Sequence, residues 1–301
     1  MRILCAVDGS EHSQWGVHAL EALAGQGPEH VVLLHIVDQP ALRSATNKNP
    51  VAAKRALAAM EKAGAIVLRD AARAGRLALG QATTGPRTQL QTILAHGPIA
   101  QTIARTARRL KANLILMGSR GLSDIQGFLL GSVSRQVAAT APCPLLVVKQ
   151  PLTALLRVSI AVDDSKPSRA AARFLRARIL PESATVTILT SVESPVTDFA
   201  ARYLSESQLA ELKQPVMERA TRLVTTLRDE FIKGGFSAVT QVHMDHVIET
   251  IVKHVEASLD QLLVIGSRDW TKSERLYLGS VSESLLRHAP CSVLIVRGAR
   301  A

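Results

Sequence analysis

The chain has 301 residues, of which 47% are apolar, 20% charged and 3% aromatic, and this composition excludes an intrinsically disordered chain. The length predicts about two domains of roughly 150 residues each, and no apolar run approaches the ~18 residues that a membrane span needs. The net charge of +11 is unevenly divided: residues 1–150 carry 17 Lys and Arg against 8 Asp and Glu, whereas residues 151–301 carry 19 against 17. The first half is therefore the better host for an anionic ligand.

Short apolar runs alternate with longer amphipathic stretches along the first half. The runs are rich in β-branched residues and leucine, which is typical of strands buried on both faces. These predicted strands are Arg2–Val7, Val31–Val37, Gln91–Ala95, Leu114–Met117 and Leu145–Val148. The predicted helices between them are Glu11–Ala24, Val51–Ala74, Ile99–Leu110 and Val133–Thr140. Pro50 and Pro98 suit the first turns of two of these helices.

The second half repeats this alternation. Its predicted strands are Val158–Val162, Thr185–Val192, Val239–His243, Leu262–Ile265 and Val293–Val296. Its predicted helices are Ser168–Ile179, Ser207–Lys233, Val247–Ser258 and Val281–His288, with Asp245 as the expected N-cap of the third. Strands joined by long crossovers predict an α/β fold with a parallel, right-handed, doubly wound sheet.

The two halves are also related in sequence. Residues 118–149 align without a gap to residues 266–297, with 13 identities in 32 positions. A second match relates Ala6–Ser10 to Ala161–Ser165. The chain is therefore interpreted as two copies of one domain, at residues 1–150 and 155–298.

Targeting and cysteine patterns indicate a reduced, cytoplasmic protein. The apolar run at the start meets the carboxylate of Asp8 after only five residues, which is too short for a signal peptide. Three cysteines, Cys5, Cys143 and Cys291, are too few for a disulfide scaffold and lie in or beside apolar runs. Nucleic-acid binding is disfavoured because the basic residues are spread along helices without an aromatic-rich stripe.

The expected ligand site lies beyond the carboxyl ends of the first and fourth strands. In doubly wound sheets, ligands bind at the point where the strand order reverses. Asp8 closes the first strand and Gly118-Ser119-Arg120-Gly121 closes the fourth, so the two loops would flank one crevice. Gly118 and Gly121 lack Cβ, which lets backbone N–H groups approach a bulky ligand.

The helix that begins near Gly131 adds donors to this crevice. Its first N–H groups and its dipole favour an anion, Ser132 and Ser134 carry hydroxyl groups, and Arg120 adds a positive charge. These residues predict a phosphate cradle. The alternative is that the glycines only shape a turn and that Ser132 or Ser134 only caps the helix.

The spacing Gly118-x2-Gly121-x9-Gly131-Ser132 resembles the ATP-binding signature of the universal stress protein family. The flanking Leu114–Met117 and Ala141–Pro144, and the segments Val7–Ser10 and Leu33–Ile36, are similar as well. The resemblance covers almost the whole chain, twice. It implies two five-stranded sheets of the adenine nucleotide α-hydrolase type, in the order 3-2-1-4-5. It also implies that the copies pack as a pseudo-dimer in which Leu145–Val148 and Val293–Val296 pair antiparallel.

The resemblance also assigns roles in ATP binding. Asp8 would lie beside the adenosine, Ile36 would offer backbone groups to the adenine, and Gly118 would line the ribose and phosphate side. The phosphates would be held by Gly121, Gly131 and Ser132, assisted by Ser134 or Arg120. A divalent ion, Mg²⁺ or Mn²⁺, would bridge the phosphates and be held mostly by ATP itself.

The second copy departs from this pattern. Asp269 stands where the second glycine would be, and a carboxylate there would repel phosphate. Asp164 replaces Gly9, and Thr190-Ser191 replaces His35-Ile36. These changes predict weakened or lost nucleotide binding in the second copy.

Three functions follow from these residues. The first is an ATP-binding regulator of the cellular stress response whose surface is read by partners or by a second copy of the chain. The second is a slow ATPase, or phosphoryl transfer to a serine such as Ser132. The third is a nucleotide-independent scaffold. The run His243-Met244-Asp245-His246 has metal-compatible residue types but no second cluster with zinc spacing, so no metal site is predicted.

Overall fold

The computed structural model describes residues 1–24, 27–45, 49–80, 88–122, 130–267 and 278–297. These residues form two compact units. The first holds residues 1–154 together with 278 and 292–295. The second holds residues 155–267, 279–291 and 296–297.

Strands and helices alternate along the first copy. The strands are β1 Arg2–Ala6, β2 His30–Val37, β3 Gln89–His96, β4 Leu114–Gly118 and β5 Leu145–Val148. The helices are α1 Glu11–Ala24, α2 Gln39–Ala45, α3 Pro50–Gly80, α4 Ile99–Leu110 and α5 Ser132–Thr140. The predicted bounds of α1, α4 and β5 are confirmed, and most of the other predicted elements differ by one or two residues at each end.

The second copy repeats the pattern. Its strands are β6 Arg157–Ala161, β7 Thr185–Val192, β8 Ser237–Met244, β9 Leu262–Ser267 and β10 Ser292–Arg297. Its helices are α6 Lys166–Arg178, α7 Asp198–Ala201, α8 Glu206–Lys233, α9 Val247–Ala257 and α10 Ser280–His288. Among the described helices, none is both long and apolar enough to span a bilayer.

The sheet of the first unit has the predicted order, β3-β2-β1-β4-β5, with all five strands parallel. Beside β5 it gains β10, which runs antiparallel and places Val293 opposite Val147 and Ile295 opposite Leu145. The predicted antiparallel pairing of these two segments is thereby confirmed. The edge of β5 is covered, and its backbone groups are satisfied.

In the second unit β6 pairs in parallel with both β7 and β9, and β7 pairs with β8. The resulting order, β8-β7-β6-β9, repeats four strands of the first copy. The carboxyl ends of β6 and β9 therefore flank a crevice equivalent to that of β1 and β4.

Aliphatic side chains fill both faces of the central strands. Every residue of β4 is buried, and Leu4 and Cys5 of β1 have no exposed surface. Burial raises the pKa of the Cys5 thiol to about 12, so this cysteine remains a neutral thiol in the core. Each fully buried leucine contributes roughly 1.5–3 kcal/mol, which explains why the strands consist of such residues.

Two short helices and one helix cap differ from the sequence prediction. Helix α2 and the four-residue α7 were not among the predicted elements, because so few residues show no helical period. The N-cap of α9 is His246, and the prediction of Asp245 is wrong. Asp245 precedes the cap and accepts the His246 N–H through its own carboxylate at 2.7 Å.

Candidate functional site

Asp8 links the two loops that flank the predicted crevice. Its Oδ1 accepts hydrogen bonds from the N–H of Ser10 at 2.9 Å and from the Ser10 hydroxyl at 2.6 Å. Its Oδ2 accepts the N–H of Leu122, in the loop after β4, at 3.2 Å. One carboxylate thus holds the end of β1 and the loop after β4 together.

The start of α5 is anchored to the end of β4. The carbonyl of Ser119 accepts the Gly131 N–H at 2.8 Å. The Ser134 hydroxyl, which is 2% exposed, lies 3.0 Å from the carbonyl oxygens of both Gly118 and Ser119. The Gly131 N–H and the Ser134 hydroxyl were predicted from the sequence to be phosphate donors. In the structure both donate to the backbone and position the helix.

Gly118 is required by packing inside the protein. A Cβ at this position would lie 2.5 Å from the carbonyl carbon and oxygen of His12 and 2.8 Å from the Ser13 nitrogen, all in the first turn of α1. At the equivalent Gly266, a Cβ would lie 2.5 Å from the Ser168 nitrogen of α6. Both glycines therefore let a helix approach the sheet, whereas Gly118 was predicted to allow the close approach of a ligand.

The first turn of α5 offers backbone donors at this end of the sheet. The helix begins at Ser132, its N-cap is Gly131, and no described side chain caps it. Its first i→i−4 hydrogen bond is donated by Arg135 to Gly131 at 3.1 Å. The N–H groups of residues 132–134 therefore have no acceptor within the helix, and they carry the positive end of its dipole. Ser132 is exposed there.

Arg120 is held at the crevice by a histidine that the sequence analysis missed. The Arg120 Nε donates to His12 Nε2 at 3.0 Å, and His12 Nδ1 lies 3.1 Å from the Ser119 hydroxyl. Because Nε2 accepts, Nδ1 carries the proton and donates it to Ser119. The Trp15 ring packs edge-on to the imidazole at 4.3 Å between centroids. Gly121 follows Arg120 directly and is half-buried.

Ile36 presents backbone groups beyond the end of β1. The pairing of β1 with β2 ends at Ala6 opposite Leu34, and the Val7 N–H then donates to the Leu34 carbonyl at 2.9 Å. Because donors alternate along a strand, the Ile36 N–H and carbonyl face the β1 side, two residues past the last paired position. The adenine-binding role that the resemblance gives to these groups stays a prediction.

His35 is a half-buried histidine that is hydrogen-bonded to the backbone at the end of β1. Its Nδ1 lies 2.8 Å from the Val7 carbonyl, so Nδ1 carries a proton. In the second unit Thr190 takes its place and donates from its hydroxyl to the Val162 carbonyl, also at 2.8 Å. The two copies thus satisfy the same carbonyl with different side chains.

In the second unit, ion pairs lie at the end of strand β6. Asp164, which replaces Gly9, accepts Arg169 at 2.7 Å and Arg219 of α8 at 2.8 Å. Hydrogen bonds from Arg219 and Arg169 hold the pKa of this carboxyl below its usual value. At the first turn of α10, Glu283 stands where α5 has Arg135. Asp269, on which part of the sequence argument rested, lies outside the described residues.

A sequence profile of the universal stress protein family matches residues 1–149 and again 156–297. The chain belongs to the universal stress protein family. Among its relatives, a universal stress protein of Thermus aquaticus is 33% identical over 147 residues, which cover 97% of that protein and 49% of this chain. Universal stress protein YxiE of Bacillus subtilis is 28% identical over 153 residues, or 98% of its length and 49% of this chain.

Solved structures of universal stress proteins share the fold over the whole chain. One from Archaeoglobus fulgidus matches with a TM-score of 0.72 at 20% identity and covers 98% of both chains. A structure described as a putative universal stress protein of Pseudomonas aeruginosa matches with a TM-score of 0.61 at 15% identity, covering 99% of this chain and 93% of its own. This chain is therefore a tandem universal stress protein in which the domain occurs twice.

Proposed function

We propose that the first unit binds one ATP in the crevice between the ends of β1 and β4. The observation that carries this proposal is the uncapped first turn of α5, which the Gly131–Ser119 hydrogen bond of 2.8 Å fixes at the end of β4. Orphan N–H groups at a helix start form a ready site for phosphate oxygens. The excess of basic residues in this half of the sequence favours the same ligand.

Each part of the nucleotide has matching groups. The backbone of Ile36 would hydrogen-bond the adenine, and Asp8 would lie beside the adenosine. The N–H groups of residues 132–134 and the Ser132 hydroxyl would hold the phosphates. Arg120, oriented by His12, and Arg135 would add positive charge.

Three of the candidate residues would support the site indirectly, because they hold the surrounding helices and loop in place. Gly118 brings α1 onto the sheet, and Ser134 holds α5 against the end of β4. Gly121 continues the loop that Asp8 binds through Leu122. Within the described residues no three His, Cys, Asp or Glu side chains come together as metal ligands. A Mg²⁺ or Mn²⁺ that arrives with ATP would accordingly be held by phosphate oxygens.

The second unit would not bind ATP under the same conditions. The Asp164 carboxylate is placed at the end of β6, and Glu283 adds a negative charge where an incoming phosphate would meet the helix. A carboxylate near a phosphate costs about 1 kcal/mol or more, depending on solvation. In a stress protein with one ATP site, partner proteins would respond to ATP bound in the first unit alone.

Calorimetric titration of the intact chain with ATP tests the proposal. Ser132→Asp places a carboxylate where the phosphates would sit, while an acid at a helix N-terminus stabilises the helix. We expect one ATP per chain for the wild type, an affinity loss of about tenfold or more for Ser132→Asp, and a Tm that does not fall. The matched variant Ser280→Asp, at the start of α10, leaves the affinity unchanged.

An unchanged affinity in Ser132→Asp, or two ATP molecules per wild-type chain, would contradict the proposal. Phosphate release measured on the same samples distinguishes binding from slow hydrolysis. Steady release that Ser132→Asp abolishes would establish an enzyme. Bound ATP without release would establish a binding protein.

A further inference from the structure

Strand β3 lies at the edge of the first unit's sheet. Among the described residues it is the terminal strand, and its pairing partner is β2. The Gln89 N–H donates to the Glu29 carbonyl at 2.9 Å and the Gly97 N–H donates to the Val37 carbonyl at 3.1 Å, so the odd-numbered residues face β2. The N–H and carbonyl groups of the even-numbered residues between them therefore face away from the sheet.

Within the strand itself, these outward backbone groups have none of the usual protecting residues. The strand reads Gln-Leu-Gln-Thr-Ile-Leu-Ala-His, with no proline, lysine or carboxylate. Its one titratable side chain, His96, contacts Glu61 at 2.8 Å. Native proteins block such edges with charges, prolines or covering segments because an open edge pairs with another strand. Nothing in the described part of the chain pairs with Leu90, Thr92 or Leu94 on this side.

A groove lies on each face of β3. The one on the α4 side has a volume of about 290 Å³ and is lined by Ile93 and Ala95 together with Thr102 and Thr106 of the helix. The one on the α3 side, about 750 Å³, is lined by Leu90, Thr92 and Leu94 together with residues of α3. Side chains of an added strand would alternate between these two grooves.

Both grooves are bordered by arginine. Arg105 and Arg109 line the groove on the α4 side, and Arg69 and Arg76 line the groove on the α3 side. Arg69 is paired with its neighbour Asp70. For the other three, no described carboxylate lies within ion-pair distance. Basic side chains therefore lie on both faces of the edge, and among them Arg69 and His96 have a described carboxylate partner, Asp70 and Glu61 respectively.

We propose that β3 is a docking edge for an acidic, extended segment of a partner protein, which adds to the sheet as a further strand. The outward N–H and carbonyl groups of Leu90, Thr92 and Leu94 would bind its backbone, as in other cases of strand addition. Its carboxylates would meet arginines on both faces of the sheet. Aliphatic side chains between the carboxylates would enter the two grooves. This surface shares no residue with the proposed nucleotide site.

The test uses a fluorescein-labelled peptide of repeating Glu-Glu-Val-Val, which presents carboxylates on both faces of an extended strand. Anisotropy measures its binding to the full chain, and the same pattern with lysine for glutamate is the peptide control. Thr92→Pro removes an outward N–H, and proline is tolerated on the solvent side of an edge strand. The matched variant Thr240→Pro makes the same change at an outward position of β8.

We expect the acidic peptide to bind and the lysine peptide to fail. Thr92→Pro and the double variant Arg105→Glu, Arg109→Glu should each weaken binding by about tenfold or more, and Thr240→Pro should leave it unchanged. Amide hydrogen exchange on the wild type should slow at Thr92 and Leu94 when the peptide is added. Arg105 and Arg109 are exposed, so the double arginine variant should fold normally. It therefore still tests binding if Thr92→Pro lowers the Tm.

Three results would overturn the proposal. The first is binding that the arginine variant abolishes without any slowing of exchange along β3, which would show charge attraction alone. The second is equal loss in Thr92→Pro and Thr240→Pro. The third is no binding of the acidic peptide at low ionic strength, where charge attraction is strongest.

Discussion

The two units keep the same structural contacts at their strand ends and differ in the groups that face the crevice. Asp8 accepts the Ser10 hydroxyl, and Asp163 accepts the Ser165 hydroxyl in the same way. The serine in the helix after the loop also bonds the end of the strand in both, from Ser134 to Gly118 and from Ser282 to Gly266. These shared residues maintain the fold.

The two units differ in the charge and size of the side chains at the ends of their first strands. Gly9 has a φ of +87° and its Cβ position lies 3.0 Å from Val67, whereas Asp164 occupies the equivalent place and binds two arginines. His12, which orients Arg120, is replaced by Pro167. Signature glycines and serines that are kept in the second copy can therefore serve packing alone. The residues around them determine whether a ligand can bind.

The largest expected effect comes from the packing glycines. Gly118→Ala and Gly266→Ala should each destabilise the chain by about 3 kcal/mol, because the new methyl group overlaps the backbone of a helix. Urea denaturation measures the loss. Gly279→Ala is the control, since no atom of the described residues lies within 4 Å of its Cβ position. Wild-type stability in either packing variant would refute the structural role of these glycines.

Charge at the helix start should have the next largest effect. Arg135→Glu copies the second unit into the first and should weaken ATP binding by about tenfold, or ~1.4 kcal/mol. The reverse change, Glu283→Arg, should leave the stoichiometry at one, because the ion pairs of Asp164 remain. A second bound ATP in Glu283→Arg would show that Glu283 alone blocks the second unit. Calorimetry provides both values.

The contact between His12 and Arg120 should matter less. His12→Ala removes the acceptor that orients the guanidinium and should cost about 1 kcal/mol of ATP affinity, with little change for adenosine, which lacks phosphates. Competition binding with ATP and adenosine measures the difference. Equal losses for both ligands would place His12 at the base or ribose instead.

The smallest effect is a pH dependence that belongs to the second unit. His254 is half-buried, and this partial burial, with a contribution from His243, lowers its pKa below the ordinary 6.5, while Asp260 opposes the shift. The unfolded chain therefore takes up a proton at a higher pH than the folded chain does. Stability is full above about pH 6.5 and falls as the pH drops below it.

His254→Gln should flatten this dependence in urea denaturation series measured between neutral and mildly acidic pH. The equivalent position in the first unit is Thr106, which does not titrate. Thr106→Ser is therefore the matched control and should keep the wild-type pH profile. An undiminished acid loss in His254→Gln would assign the effect to another group.

The helices and strands could be predicted from the sequence because each is marked by a pattern of neighbouring residues. Helices α1 and α4 have clear apolar periodicity, and β5 is a short apolar run between a proline and a lysine. The strand order and the edge pairing came from the family resemblance. The alternation of strands and helices by itself predicted only a parallel sheet.

The site was predicted less completely, because its details depend on contacts between distant residues. The bond from Arg120 to His12 joins positions 108 residues apart, and no local pattern reveals it. The fit of Gly118 against the first turn of α1 likewise depends on how closely that helix approaches the sheet. The residues around the crevice could be named from the sequence. Which of them pack inside the protein, and which of them face a ligand, could not.

The antiparallel strand β10 makes the first unit depend on residues that are synthesised only after strands β6 to β9. Residues 292–295 belong to that unit and cover β5. A nascent chain that has been made only as far as Ala154 would expose the backbone of Leu145–Val148, an apolar edge that pairs readily with any other strand. A gene fragment that encodes the first copy alone should therefore yield a protein that self-associates through this edge, and the duplicated arrangement supplies the missing strand from within the same polypeptide.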